Sequence, residues 1–239
     1  MENHTLLFEQ SRADSKIFRK DVSLSEELKD LFFENVYTRL NNYVLKRHVV
    51  SMYPDFLEFA RTCEARPEKE EYAAFLFYWW RLLDDTHKNP ASNIFTEFHG
   101  EHFPFFKKHP IFLSWLNQAK KVTPGFYFTA GHIGGNGCTL IDLKSKEVIQ
   151  VMFPSKTLPF PRKGTVVSCI LLPFAEHLHL PLAIYPFEYS TREEIAPHIH
   201  HYYSELIDEK DPYMVWLQMF MSLLLVEKYT LSGEEPWKD

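Results

Sequence analysis

A chain of 239 residues in which 45% of side chains are apolar can bury the core of one large domain or two small ones, so disorder is expected only at its ends. Its formal charge of −6, with no sustained run of Lys or Arg, excludes a large nucleic-acid footprint, because phosphate contacts need clustered positive charge. Its 3 cysteines, Cys63, Cys138 and Cys169, are odd in number and widely spaced, which signals neither a disulfide framework nor a thiolate zinc site and fits a reducing cytosol.

Residues 1–22 mix charges with isolated aromatics and read as a partly ordered arm. The opening residues lack the basic and then apolar layout of an export signal. A helical region is expected over 23–123. Ser23 with Glu26 forms a capping box, and Leu24, Leu28, Leu31, Phe32, Val36 and Leu40 recur at helical spacing. Pro54 is read as restarting a short helix, since proline is tolerated in a first turn. Pro67 followed by acidic residues opens the next helix, whose run from Tyr72 to Leu83 is apolar nearly all round and is expected to be the central helix of this half. Further helical segments are expected around Ile94–Phe98 and from Phe103 through Leu116.

The stretch 124–190 changes character. Short β-branched and aromatic runs, Phe126–Phe128, Leu140–Leu143, Val148–Phe153, Thr165–Leu172 and Leu182–Tyr185, are separated by Gly, Pro, Asn and Lys-Ser clusters. They predict an antiparallel β meander or small barrel. Residues 191–232 supply two C-terminal helices. Thr191 with Glu194 reads as a capping box for the first, and Asp211-Pro212 as an N-cap with proline at the first helical position for the second. Residues 233–239 are a tail. The fold class is therefore α+β: an N-terminal helical layer, a central small antiparallel sheet or barrel, and two C-terminal helices on the same core. The apolar run 214–226 is interrupted by Gln218 and Ser222 and falls short of the roughly 20 residues a membrane span needs, so it is read as a buried helix.

A helical segment ending in Leu113-Ser-Trp-Leu and, within the β stretch, Pro124-Gly-Phe-Tyr, the run from Leu140 to Val151 and Lys163-Gly-Thr-Val-Val-Ser-Cys-Ile-Leu-Leu-Pro173 resemble a domain of uncharacterised bacterial proteins. That domain often sits upstream of a SEC-C motif, a cysteine-rich zinc knuckle. The resemblance covers roughly residues 75–187 and rests on hairpin chemistry. It implies a bacterial cytosolic setting and an accessory binding role. The knuckle itself is missing from this sequence, so zinc binding and contacts made through it are not carried over.

Candidate chemistry is sparse. Gly131-His-Ile-Gly-Gly-Asn-Gly-Cys138 offers backbone amides but lacks the Lys-Ser/Thr and the following helix of a phosphate loop, so it is read as a glycine hairpin. Cys138 with His132 is a thiol beside a base, without a third orienting group. On a helix, His198 and His201 share a face with Glu194 and Glu205, a set adequate for a divalent metal, although helical histidines near acidic residues are more often a solvated face. Asp84, Asp85 and His87 could likewise hold Mg²⁺, but Lys88 breaks the DDxxD spacing. No cofactor fingerprint is present.

Two interaction surfaces rank above any active site. The helix carrying Phe75, Phe77, Tyr78, Trp79 and Trp80 is too aromatic for every ring to point inward, so Trp79 and Trp80 are candidates to meet a partner, against core packing as the alternative. The loop 154–164 presents Lys156, Arg162 and Lys163 among prolines that cannot join a ladder. The expectation is a non-catalytic cytoplasmic accessory or adaptor protein that binds another protein, with homodimerisation left open. The alternatives are a metal-dependent hydrolase built on His198 and His201, and single-stranded nucleic-acid binding by stacking on Phe126, Phe128 and Phe153.

Overall fold

The structure is a computed structural model that describes residues 9–154, 158–175, 178–205 and 211–233. Two short strands, β1 (Glu9–Gln10) and β2 (Ser23–Leu24), pair in parallel and fasten the N-terminal arm. The described part of the arm, residues 9–22, is firmly docked: Phe18 is buried, its amide donates to Ser114 Oγ at 3.0 Å, and Gln118 Nε2 donates to its carbonyl at 2.9 Å. A buried aromatic side chain outweighs the local polarity that made this segment read as loosely ordered.

Helices α1 (Glu26–Phe32), α2 (Thr38–Val44) and α3 (Val50–Thr62) follow one another through π-helical turns at Phe33–Tyr37 and Leu45–Val49. Ser25, rather than Ser23, caps α1 by accepting from the Leu28 amide, because Ser23 is committed to strand β2. Pro54 does not restart a helix; it lies inside α3, in its second turn, and its lack of an amide removes one bond of the i→i−4 ladder. After the 3₁₀ turn Pro67–Lys69, helix α4 (Glu70–Lys88) runs through the centre of the helical layer. Helix α5 (Ile94–Glu101) is capped by Asn93, whose side chain accepts from Thr96 N. The segment from Phe103 divides into α6 (Phe103–Lys108) and α7 (Pro110–Ala119) at His109, where the following proline disfavours helical backbone.

Five strands then close a barrel in the order β3-β4-β5-β7-β6: β3 (Gly125–Ile133), β4 (Gly137–Asp142), β5 (Val148–Met152), β6 (Val166–Ala175) and β7 (Leu178–Pro186). Four neighbouring pairs are antiparallel; the closing pair β5–β7 is parallel, with Gln150 opposite Leu178 and Val151 opposite His179. The expected antiparallel sheet is thus corrected at one seam. Alternation along β6 feeds two cores. Val167, Cys169 and Leu171 point into the barrel with Tyr127, Cys138, Leu140 and Val151, while Val166, Ile170 and Leu172 join the helical layer. Helix α8 (Arg192–Glu205) and helix α9 (Pro212–Ser232) complete that layer, and Asp211 caps α9 through the amides of Tyr213 and Met214. Thr191 belongs to a 3₁₀ turn and bonds the Glu188 carbonyl at 2.9 Å rather than capping α8.

Helix α4 and α9 meet through the rings of Trp80, Trp216, Phe77 and Phe220 and through one buried polar knot. In that knot the Glu227 carboxylate accepts from Lys69 Nζ at 2.9 Å, from Tyr185 Oη at 2.6 Å and from the Glu188 amide at 2.5 Å. Glu227 and Lys69 are both buried, so each supplies the counter-charge that makes the other's burial tolerable. No described helix is long and apolar enough to cross a membrane.

Candidate functional site: a basic aromatic patch

The loop between β5 and β6 starts at Pro154 and is pinned to the barrel at its far end. His132 Nε2 donates to the Pro161 carbonyl at 2.9 Å, and the Phe160 ring sits 4.9 Å from His132 and 5.0 Å from Phe153. Pro161 is buried, so the two residues after it, Arg162 and Lys163, project to solvent from a fixed base. Gly164 then takes φ +84°, with its amide donating to Thr129 O at 2.8 Å. A Cβ here would lie 2.9 Å from Cε2 of Tyr189, so glycine is required twice over: for the left-handed backbone and for the close approach of that ring.

Tyr189 opens the 3₁₀ turn Tyr189–Thr191 that leads into α8, and its ring is partly exposed. The Arg162 guanidinium lies 4.7 Å from the ring centroid and the Arg192 guanidinium 4.0 Å. Both distances are within cation–π range. Arg192 is further held by the Tyr189 carbonyl and by Glu193, each at 2.9 Å. Arg162 and Lys163 have no carboxylate in ion-pair range among the described residues. The preceding residue, Glu188, turns the other way, toward Arg66 at 3.5 Å and Lys69 at 3.6 Å, and its amide is fixed by the buried Glu227. The turn bearing Tyr189 is therefore anchored to α9 from behind while its face stays open. Burial, reinforced by the neighbouring Glu227 carboxylate, pushes the Tyr185 phenol upward, so it stays protonated and donates to that carboxylate.

Of the basic residues read from the sequence, Arg162 and Lys163 are brought together on this patch, and Lys156 lies outside the described residues. Tyr189 and Arg192 join them without any signal in the sequence, because they are distant along the chain and only the fold makes them neighbours. Trp79 and Trp80 are corrected. Both are buried, and Trp80 Nε1 donates to the Tyr213 carbonyl at 2.9 Å, so neither offers area to a partner. Helix α4 is enclosed by α3, α9 and the barrel wall, which accommodates rings on every side.

The remaining candidates are spread apart. His198 Nδ1 donates to its own helix at the Glu194 carbonyl, 2.7 Å away, and the His201, Glu194 and Glu205 side chains are exposed. Among the described residues no three His, Cys, Asp or Glu side chains converge on a common point. Asp84 is buried and paired with Lys88 at 2.8 Å and with Arg81 at 3.4 Å, a carboxylate already neutralised by cations rather than open to one more. Cys138 lies inside the barrel, where burial pushes its thiol up to about 12, so it holds no thiolate at neutral pH. Residues 133–137 form the expected hairpin turn, with Gly134 at φ +59°. Phe126 and Phe153 are buried and Phe128 packs on the helical core, so these three rings make no open stacking platform.

No family model, no curated protein and no solved structure matches the chain.

Proposed function

We propose that this chain is a non-catalytic cytoplasmic binding protein whose patch of Arg162, Lys163, Tyr189 and Arg192 docks an acidic segment of another protein. The observation that carries the reading is the pair of cations without carboxylate partners among the described residues, beside an exposed tyrosine, on a molecule whose net charge is −6. Tyr and Arg are the residues that dominate binding hot spots, and an anchored guanidinium loses little freedom when a carboxylate arrives. Like charges over one ring repel each other, and an incoming carboxylate relieves that repulsion. The resemblance to the domain found beside SEC-C motifs supports the same accessory role in a bacterial cytosol.

Fluorescence anisotropy tests this directly. A labelled twelve-residue peptide of alternating Glu and Tyr and a labelled dT12 oligonucleotide are titrated with the parent protein and with the Arg162→Glu variant. The peptide is expected to bind, and the variant to bind about tenfold or more weakly, since a hydrogen bond to a charged group contributes about 1.5–3 kcal/mol. Equal peptide binding by both proteins, or binding of the oligonucleotide alone with a steep salt dependence, would overturn the proposal.

A further inference from the structure

A cavity of about 610 Å³ lies away from the patch, where the carboxyl ends of α4 and α7 meet the amino end of α9. This volume falls within the range of small-molecule sites. One wall is aromatic: the His87 and Tyr213 rings are 5.3 Å apart, and Pro90 and Pro212 extend the apolar surface. Tyr213 cannot swing away, because its hydroxyl donates to the Val122 carbonyl at 3.1 Å and its carbonyl accepts from Trp80 Nε1. The other wall carries Lys120 and Lys121, just past the end of α7, with Asn117 one turn earlier.

Charges around the cavity do not cancel these lysines. Asp84 is taken by Lys88 and Arg81, Asp85 accepts from Asn89 Nδ2 at 3.1 Å, and Asp211 accepts the amides of Tyr213 and Met214. Among the described residues neither Lys120 nor Lys121 has a carboxylate in ion-pair range. A half-buried ammonium without a counter-ion is costly, and a bound anion removes that cost.

We infer that this cavity is a binding site for a small aromatic anion, its flat body against the His87–Tyr213 wall and its negative group toward Lys120, Lys121 and the Asn117 amide. Burial lowers the Lys120 amine from its ordinary value, and a seated anion would raise it again.

The competing account is that the lysines merely answer the partial negative charge at the end of α7. Titration with 8-anilinonaphthalene-1-sulfonate, an aromatic anion, and with the uncharged N-phenyl-1-naphthylamine separates the two. The sulfonate is expected to fill one saturable site per chain. Lys120→Met and Lys121→Met should each weaken it about tenfold, and Lys121→Arg should leave it in place. Lys121 is exposed, so its variants test the site even where Lys120→Met disturbs folding. Binding that does not saturate, equal affinity for the neutral naphthylamine, or unchanged sulfonate affinity in Lys121→Met would overturn the inference. None of these outcomes bears on the patch around Tyr189.

Discussion

Strands β6 and β7 turn their outer side chains into helices, whereas β4 and β5 turn theirs to solvent. On the covered flank Val166, Ser168, Ile170, Leu172, Leu180, Ala183 and Tyr185 are all buried; on the open flank Val148 is 61% exposed, Gln150 is exposed, and Thr139, Ile141 and Met152 are partly so. The barrel interior behind both flanks is the same cluster of Val, Leu, Cys and aromatic side chains. What differs is whether a strand has one apolar surface to satisfy or two. A strand with two is buried at every position, as along Val166-Val-Ser-Cys-Ile-Leu-Leu172, while a strand with one alternates between exposed and more buried positions, as along Val148-Ile-Gln-Val-Met152. The basic aromatic patch sits at the border, where the β5–β6 loop crosses from the open flank to the turn that follows β7.

The sharpest way to break this contrast is to strike the polar knot on the covered flank. Glu227→Ala leaves Lys69 buried without its counter-charge and should cost about 3–5 kcal/mol, read as a shift in the urea unfolding midpoint. Replacing both partners together, Lys69→Met with Glu227→Leu, should cost much less than Glu227→Ala alone. A double variant as unstable as the single one would mean that the knot acts through Tyr185 and Glu188 rather than through the ion pair.

The two flanks are compared directly by single truncations. Ile170→Ala should lose about 2–5 kcal/mol and Val148→Ala no more than about 0.5 kcal/mol in the same assay. Similar losses at the two positions would show that the open flank is covered in solution, for instance by a second copy of the chain.

An effect confined to alkaline pH, and absent at neutral pH, concerns the shared interior. Folding raises the Cys138 thiol from 9.0 to about 12, so the folded chain holds a proton that the unfolded chain releases in this range. The associated stability is complete below pH 9 and is lost as the pH rises from 9 toward 12. Unfolding free energy followed across that window should fall less steeply in Cys138→Ala than in the parent. The native thiol should also resist iodoacetamide at pH 8 while the urea-unfolded one reacts.

Much of this architecture could be read before any coordinates. The strand runs of the β stretch, the aromatic helix and the Asp211-Pro212 cap all depend on neighbours within a few residues, and each is where the local chemistry puts it. What escaped depends on pairs far apart in sequence. The parallel seam between β5 and β7 leaves no local mark, because either orientation of Val151 satisfies the same apolar face. Trp79 and Trp80 were ambiguous for a related reason: a helix ringed with aromatics says how much surface it can bury, but not how many neighbours surround it. Arg162 and Lys163 were legible as an exposed basic loop, yet the ring that Arg162 attends, Tyr189, and its second guanidinium, Arg192, belong to the far side of two strands. Lys69 and Glu227 gave no hint of each other, being 158 positions apart.

The contact between Trp80 and Tyr213 has a bearing on how the molecule is made. A ribosome must add 133 residues between them, which takes on the order of 10 s at about 5–20 residues per second. Throughout that interval the surface of α4 that meets α9 has no partner, although β6 and β7 of the barrel wall are made earlier. The aromatic seam between α4 and α9 is therefore among the last contacts of the fold to form during synthesis.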